Sequence, residues 1–201
     1  MKKKIFYFFI FIFLLIAFYL NLKSTRYTGV NYSVSSEEIT NYKKIKDFYQ
    51  RHNKYKNLVE EILENSKKQN IVIDLSKWVY LNIKKHKPGT VVVDSHPWTI
   101  IERKVGTDDQ FSDLLSVLLV YKNIDAFYTF NFNTLKHSFT FFKDNGRWSI
   151  IDPYYGLYFI NEKKEFCSLK EIKLTKCEIV HFKYDKNINY KLEEIFNDKN
   201  F

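Results

Sequence analysis

Residues 137–153 read HSFTFFKDNGRWSIIDP, and the fold is decided at their centre. Asn145-Gly146 between two runs of alternating apolar residues is the signal of a two-residue type I′ hairpin turn. That turn pairs Asp144 with Arg147 and, counting outward, Phe139 with Asp152. His137 and Asp152 become diagonal neighbours on one face, with Cα atoms on the order of 7 Å apart. Phe139, Phe141, Trp148 and Ile150 share that face, so an apolar surface ends in one imidazole and one carboxylate. A three-residue turn would put His137 and Asp152 on opposite faces.

Upstream, residues 104–115 read KVGTDDQFSDLL. Phe111, Leu114, Leu115, Leu118 and Leu119 recur at the spacing of a helix with one buried stripe. Thr107 is the expected N-cap, Gln110 its reciprocal capping-box partner, and Asp108 and Asp109 complement the positive end of the helix dipole. The helix of residues 108–121 must cover an apolar sheet face. Packed on the face of Phe139 and Ile150, it brings its N-terminus toward His137.

After Asn123-Ile124 the apolar period changes from 3.6 to 2. DAFYTFNF, HSFTFFK, RWSIID and GLYF read as consecutive strands, with a further strand expected around residues 179–184 and a terminal helix near 192–196. Before the Leu-rich helix the patterns are helical. A capping box from Ser35 to Glu38 opens a helix through Ile39, Tyr42, Ile45, Phe48 and Tyr49. A second follows through Leu58, Ile62 and Leu63. A third starts at the N-cap candidate Asp74 and is stopped by Pro88-Gly89, and WTIIERK forms a short fourth. The expected class is α+β, with helices packed on an antiparallel sheet.

Ile5–Leu20, IFYFFIFIFLLIAFYL, holds no charge and follows three lysines. Sixteen residues span about 24 Å, so Asn21, Leu22 and snorkelling lysines complete a hydrocarbon core of roughly 30 Å. Lys2, Lys3 and Lys4 in front, against Lys23 and Arg26 behind, keep the N-terminus cytoplasmic and export the rest. A cleaved signal peptide has similar length, but Leu20-Asn21-Leu22-Lys23 offers no small-residue cleavage site. The organisation expected is a single-pass signal-anchor at 1–22, a juxtamembrane linker at 23–34 and one extracytoplasmic domain at 35–201, with its core at 74–160.

The net charge of +9 is concentrated at this anchor. With its five cations set aside and no acid among residues 1–26, 27 cations stand against 23 acids, a net +4. No basic block interleaves with aromatics, so nucleic acid is not an expected partner. His52, His86, His96 and His181 are scattered, and neither a metal cluster nor a phosphate-binding glycine loop is present, so no cofactor is expected.

A buried histidine beside an aspartate is either a satisfied polar pair or a base with its orienting carboxylate. Gly106, the Leu-rich helix ending at Asn123-Ile124, His137, and the Gly146, Trp148, Asp152 and Pro153 segment together resemble the transglutaminase-like, papain-type superfamily. The resemblance implies a cysteine at the helix start, activated by His137 and Asp152. Aligned through Gly106 and Phe111-Ser112, Asp108 stands where the family has its cysteine. Aligned through the Asp-Gln pair, Thr107 stands there. Neither is a thiol.

A carboxylate suits a helix N-terminus but is a poor nucleophile toward amides. Flanked by Asp108 and Asp152, His137 is expected as an imidazolium, a weak base near neutral pH. Cys167 and Cys177 follow the aspartate, out of the family order, and an exported domain would pair them as a disulfide or bury them. The expectation is therefore a binding or accessory module that takes a peptide, polyamine or envelope glycan in the old cleft. Its rival is an envelope-acting hydrolase or acyltransferase using Asp108 or Thr107 with His137 and Asp152.

Overall fold

The computed structural model describes residues 2–30, 33–66, 70–87, 96–131, 137–174 and 176–183. The chain divides into two compact units, the first holding Met1–Lys54 and the second Tyr55–Pro88 with the chain from Ser95 onward.

The first unit opens with helix α1 (Lys2–Asn21). Its 20 residues reach about 30 Å at 1.5 Å per residue, which with its composition makes it long and apolar enough to cross a membrane. Strands β1 (Lys23–Val30) and β2 (Ser33–Thr40) follow as an antiparallel pair, in register from Lys23↔Thr40 to Val30↔Ser33. The stretch expected as a linker is therefore largely strand, and the Ser35–Glu38 box does not start a helix. Thr25, Tyr27, Thr28 and Val30 are good strand formers, and an eight-pair ladder outweighs one helix cap. The cap moves to Thr40, whose Oγ1 accepts from the Lys43 amide at 3.2 Å. Helix α2 (Asn41–Glu64) then runs unbroken, fusing the two helices expected over this region.

In the second unit the last turns of α2 bury Tyr55, Val59 and Ile62. Helix α3 (Ile71–Asn82) starts at Asn70 rather than Asp74, because Asn70 Oδ1 accepts from the amides of Val72 and Ile73 at 2.9 and 3.3 Å. Asp74 lies inside the first turn, where it complements the dipole instead. After strand β3 (Lys84–Lys85), helix α4 (Pro97–Arg103), which is the WTIIERK helix, and strand β4 (Val105–Gly106), comes helix α5 (Asp108–Val120). Strands β3 and β4 pair in parallel, Lys84↔Val105 and Lys85↔Gly106.

Strands β5 (Ala126–Asn131), β6 (His137–Asp144), β7 (Arg147–Asp152) and β8 (Leu157–Ile160), helix α6 (Leu169–Lys173) and strand β9 (Glu178–His181) complete the unit. The five strands form one antiparallel sheet in chain order. The structure is thus the mixed class expected, an apolar N-terminal helix followed by helices on an antiparallel sheet. The expected terminal helix near 192–196 lies outside the described residues, as does Tyr184 at the end of the expected last strand.

Leu114, Leu115, Leu118 and Leu119 are fully buried, and they pack with Phe142 and Ile151 in one cluster. Phe139, Phe141 and Ile150 belong to a second cluster with Leu157, Phe159, Cys167 and Ile172. Helix α5 therefore lies on the Ser138, Thr140 and Phe142 face of β6, opposite the face of Phe139 and Ile150. Two hydrogen bonds fix it there: Ser112 Oγ donates to the Ser138 carbonyl at 3.1 Å, and Thr140 Oγ1 donates to the Ser112 carbonyl at 3.0 Å.

Candidate functional site

The hairpin that carries the site forms in the register its turn dictates. Asn145 and Gly146 have φ of 48° and 78°, the two positive values of a type I′ turn, and Asp144 faces Arg147. Phe139 is thereby aligned with Asp152, one step beyond the last recorded pair, Thr140↔Ile151. His137 opens β6 opposite Asn131. The expected meeting of its imidazole with Asp152 rests on a side chain outside those described.

Asp152 ends β7 fully buried. Its Oδ1 accepts from the amides of Tyr154 and Tyr155, both at 2.9 Å. Asp152 thus turns the chain at Pro153, and it sets where the two tyrosines stand. A carboxylate buried in this way needs such donors, because water no longer solvates it.

Asp108 is the first residue of α5, and its Oδ2 accepts from the Ser138 amide at 3.1 Å. Although α5 covers the opposite face of the sheet, its N-terminus reaches the end of β6 beside His137. The cap forms as the spacing predicts: Gln110 Oε1 accepts from the Thr107 amide at 3.1 Å, and Arg103 donates to the same oxygen. The Thr107 hydroxyl donates to the Asp109 carboxylate. A hydroxyl has one proton to give, so that proton is directed at Asp109.

Asp108 and Asp152 act on the same two rings. Burial raises the Tyr154 hydroxyl above its ordinary pKa, with further contributions from Tyr155, Asp108 and Asp152. Burial raises Tyr155 too, followed by Asp152 and then Asp108. The Lys85 ammonium lies over both rings, 4.5 Å from the Tyr154 centroid and 4.7 Å from that of Tyr155. Such contacts attract a cation to the negative face of the ring. Strand β3 carries Lys85 there by pairing with β4, which leads into Asp108.

The described site is therefore two tyrosine faces that hold a primary ammonium, with Asp108 and Asp152 each acting on the same two rings. The sequence reading named Asp108 and Asp152 and did not name Lys85, Tyr154 or Tyr155. The tyrosines were signalled by Tyr-Tyr directly after Asp152-Pro153. Lys85 had no local signal, because a two-residue parallel pairing places it.

Cys167 and Cys177 form a disulfide bridging α6, and they are the chain's two cysteines. No group of three or more His, Cys, Asp or Glu able to hold a metal ion occurs among the described residues.

No family model matches this sequence, and no curated protein matches it. Solved structures similar to this chain include two proteins. One is a protein from Cytophaga hutchinsonii assigned as a cysteine protease, at 19% identity and a TM-score of 0.42, covering 51% of this chain and 37% of that one. The other is a TGase, at 16% identity and a TM-score of 0.42, covering 78% of this chain and 50% of that one. The chain thus spans half or less of either structure. Both likenesses are weak, and neither assigns an activity to this chain.

Proposed function

We propose that this chain is a membrane-anchored, extracytoplasmic, transglutaminase-like module that binds a ligand and does not turn it over by thiol chemistry. Its anchor is α1, with the N-terminus cytoplasmic. The charge difference between Lys2, Lys3 and Lys4 and the Lys23 and Arg26 pair supports that direction. The disulfide between Cys167 and Cys177 supports an oxidising compartment.

At the positions matching the family triad, Asp108 stands in place of the cysteine, with His137 and Asp152 downstream. A carboxylate that already accepts the Ser138 amide is a structural acid and a weak nucleophile. Among the ligand classes of peptide, polyamine and envelope glycan, the site favours an ammonium-bearing one. The observation that carries this is Lys85 lying over Tyr154 and Tyr155 beside the two acids. A polyamine or an exposed lysine of a peptide presents the same group and would displace it.

The test is calorimetric titration of the detergent-solubilised full chain with spermidine. Saturable binding that tightens in Lys85→Ala and weakens in Asp108→Asn is expected. Heats identical in all three proteins would overturn the ligand assignment. The Thr107 hydroxyl directed at Asp109 gives the rival enzyme its one observation. Incorporation of fluorescent cadaverine into casein, lost in Thr107→Ala or Asp108→Ala, would establish that rival instead.

A further inference from the structure

The first turns of α2 are amphipathic in the wrong sense for a water-soluble protein. Tyr42, Ile45, Phe48 and Tyr49 are 59%, 54%, 67% and 63% exposed. At the 3.6-residue period they share about a third of the helix circumference. The polar side of the same turns is ion-paired to the β1–β2 strands. Asp47 is ion-paired with Arg26 of β1 at 3.3 Å, and Lys43 with Glu37 of β2 at 3.4 Å. An exposed apolar stripe opposite a polar side that is ion-paired to the strands calls for an apolar medium outside the stripe.

The position of the stripe says which medium. The Asn41 amide donates to the Leu22 carbonyl at 2.9 Å, and Asn41 Nδ2 donates to the Tyr19 carbonyl at 3.0 Å. Helix α2 therefore begins where α1 ends. Lys44 and Lys46 border the stripe, one on each side, where long side chains can lay their stems on apolar surface and reach phosphate. Two tyrosines in the stripe suit the headgroup level.

Resting on the reading of α1 as a membrane anchor, we propose that the Tyr42, Ile45, Phe48 and Tyr49 face of α2 lies in the headgroup region of the bilayer that α1 enters. Lys44 and Lys46 meet anionic lipid there. The anchor is then two-part, a crossing helix and an interfacial one joined by the β1–β2 hairpin.

The test uses the full chain in vesicles of phosphatidylcholine with a minority of phosphatidylglycerol. A nitroxide is attached at Phe48→Cys, Lys43→Cys or Phe13→Cys, the native cysteines being paired. Collision with oxygen, which concentrates in lipid, is compared with collision with a water-soluble nickel chelate. The expected result is oxygen preference at 13 and 48 and nickel preference at 43. Nickel preference at 48 with oxygen preference at 13 would overturn the interfacial contact and leave the anchor standing. Nickel preference at 13 would overturn both. Magnetic coupling between two labels at 48 would assign the stripe to self-association and overturn the lipid contact.

Discussion

The carboxylate of Asp108 accepts the backbone amide of Ser138, 30 residues away, at 3.1 Å. One hydrogen bond thus ties the N-terminus of α5 to the start of β6, next to His137. The helix start brings an acceptor to the strand, which closes the junction. Asp108→Ala leaves the amide without that partner and removes a charge that complements the helix dipole. A loss of about 1–3 kcal/mol is expected, read as a lower thermal midpoint of the detergent-solubilised chain, with Asp108→Asn retaining part of it.

Asp113 gives a pH dependence with a definite sign. Burial, followed by repulsion from Asp109 one turn earlier, raises its carboxyl to about 6 from 3.8. Between these values the folded chain holds a proton that the unfolded chain has released. Stability contributed by this group therefore falls as pH rises from about 4 to about 6. Asp113→Asn should unfold at a higher temperature than the parent at pH 7.5 and at nearly the same temperature at pH 4. Equal midpoints at both pH values would remove Asp113 as the cause.

Gly156 fixes the turn that presents Tyr154 and Tyr155. It has φ of +68°, its amide donates to the Asp152 carbonyl at 2.9 Å, and an added Cβ would stand 2.7 Å from the Tyr80 ring. Gly156→Ala combines left-handed strain with a ring clash. A loss above about 1 kcal/mol is expected, together with weaker spermidine binding as the tyrosines shift.

The disulfide closes a short loop around α6, between residues 10 apart. Replacing both cysteines with serine should cost about 2–3 kcal/mol by the chain-entropy account, read as a lower denaturant midpoint. In intact cells the parent should resist thiol-directed alkylation until a reductant is added. Rapid labelling without reductant would place the domain in a reducing compartment.

What was legible in the sequence was local. Asn145-Gly146 set the hairpin register because turn chemistry fixes it within four residues, and Thr107 with Gln110 set the start of α5 for the same reason. Ser35 failed because β1 and β2 pair along eight positions, a tertiary outcome that one capping signal does not reveal. The face that α5 covers was ambiguous because β6 is buried on both sides, Phe142 on one and Phe139 with Phe141 on the other. The alternation of apolar residues cannot choose between two apolar faces. Lys85 was illegible because its place depends on pairing with Gly106, 21 residues downstream.

The proposal that Asp108 stands where the transglutaminase-like family carries its cysteine is supported by its place at the N-terminus of α5, bonded to Ser138 at the start of β6. Asp108→Cys tests it most directly, through its rate of reaction with iodoacetamide as a function of pH. The proposal predicts a thiolate formed with an apparent pKa below about 7.5, lowered by the helix dipole and by His137, and raised again in the Asp108→Cys, His137→Ala double variant. A profile that follows an ordinary cysteine at about 8.5, unchanged by loss of His137, would contradict it.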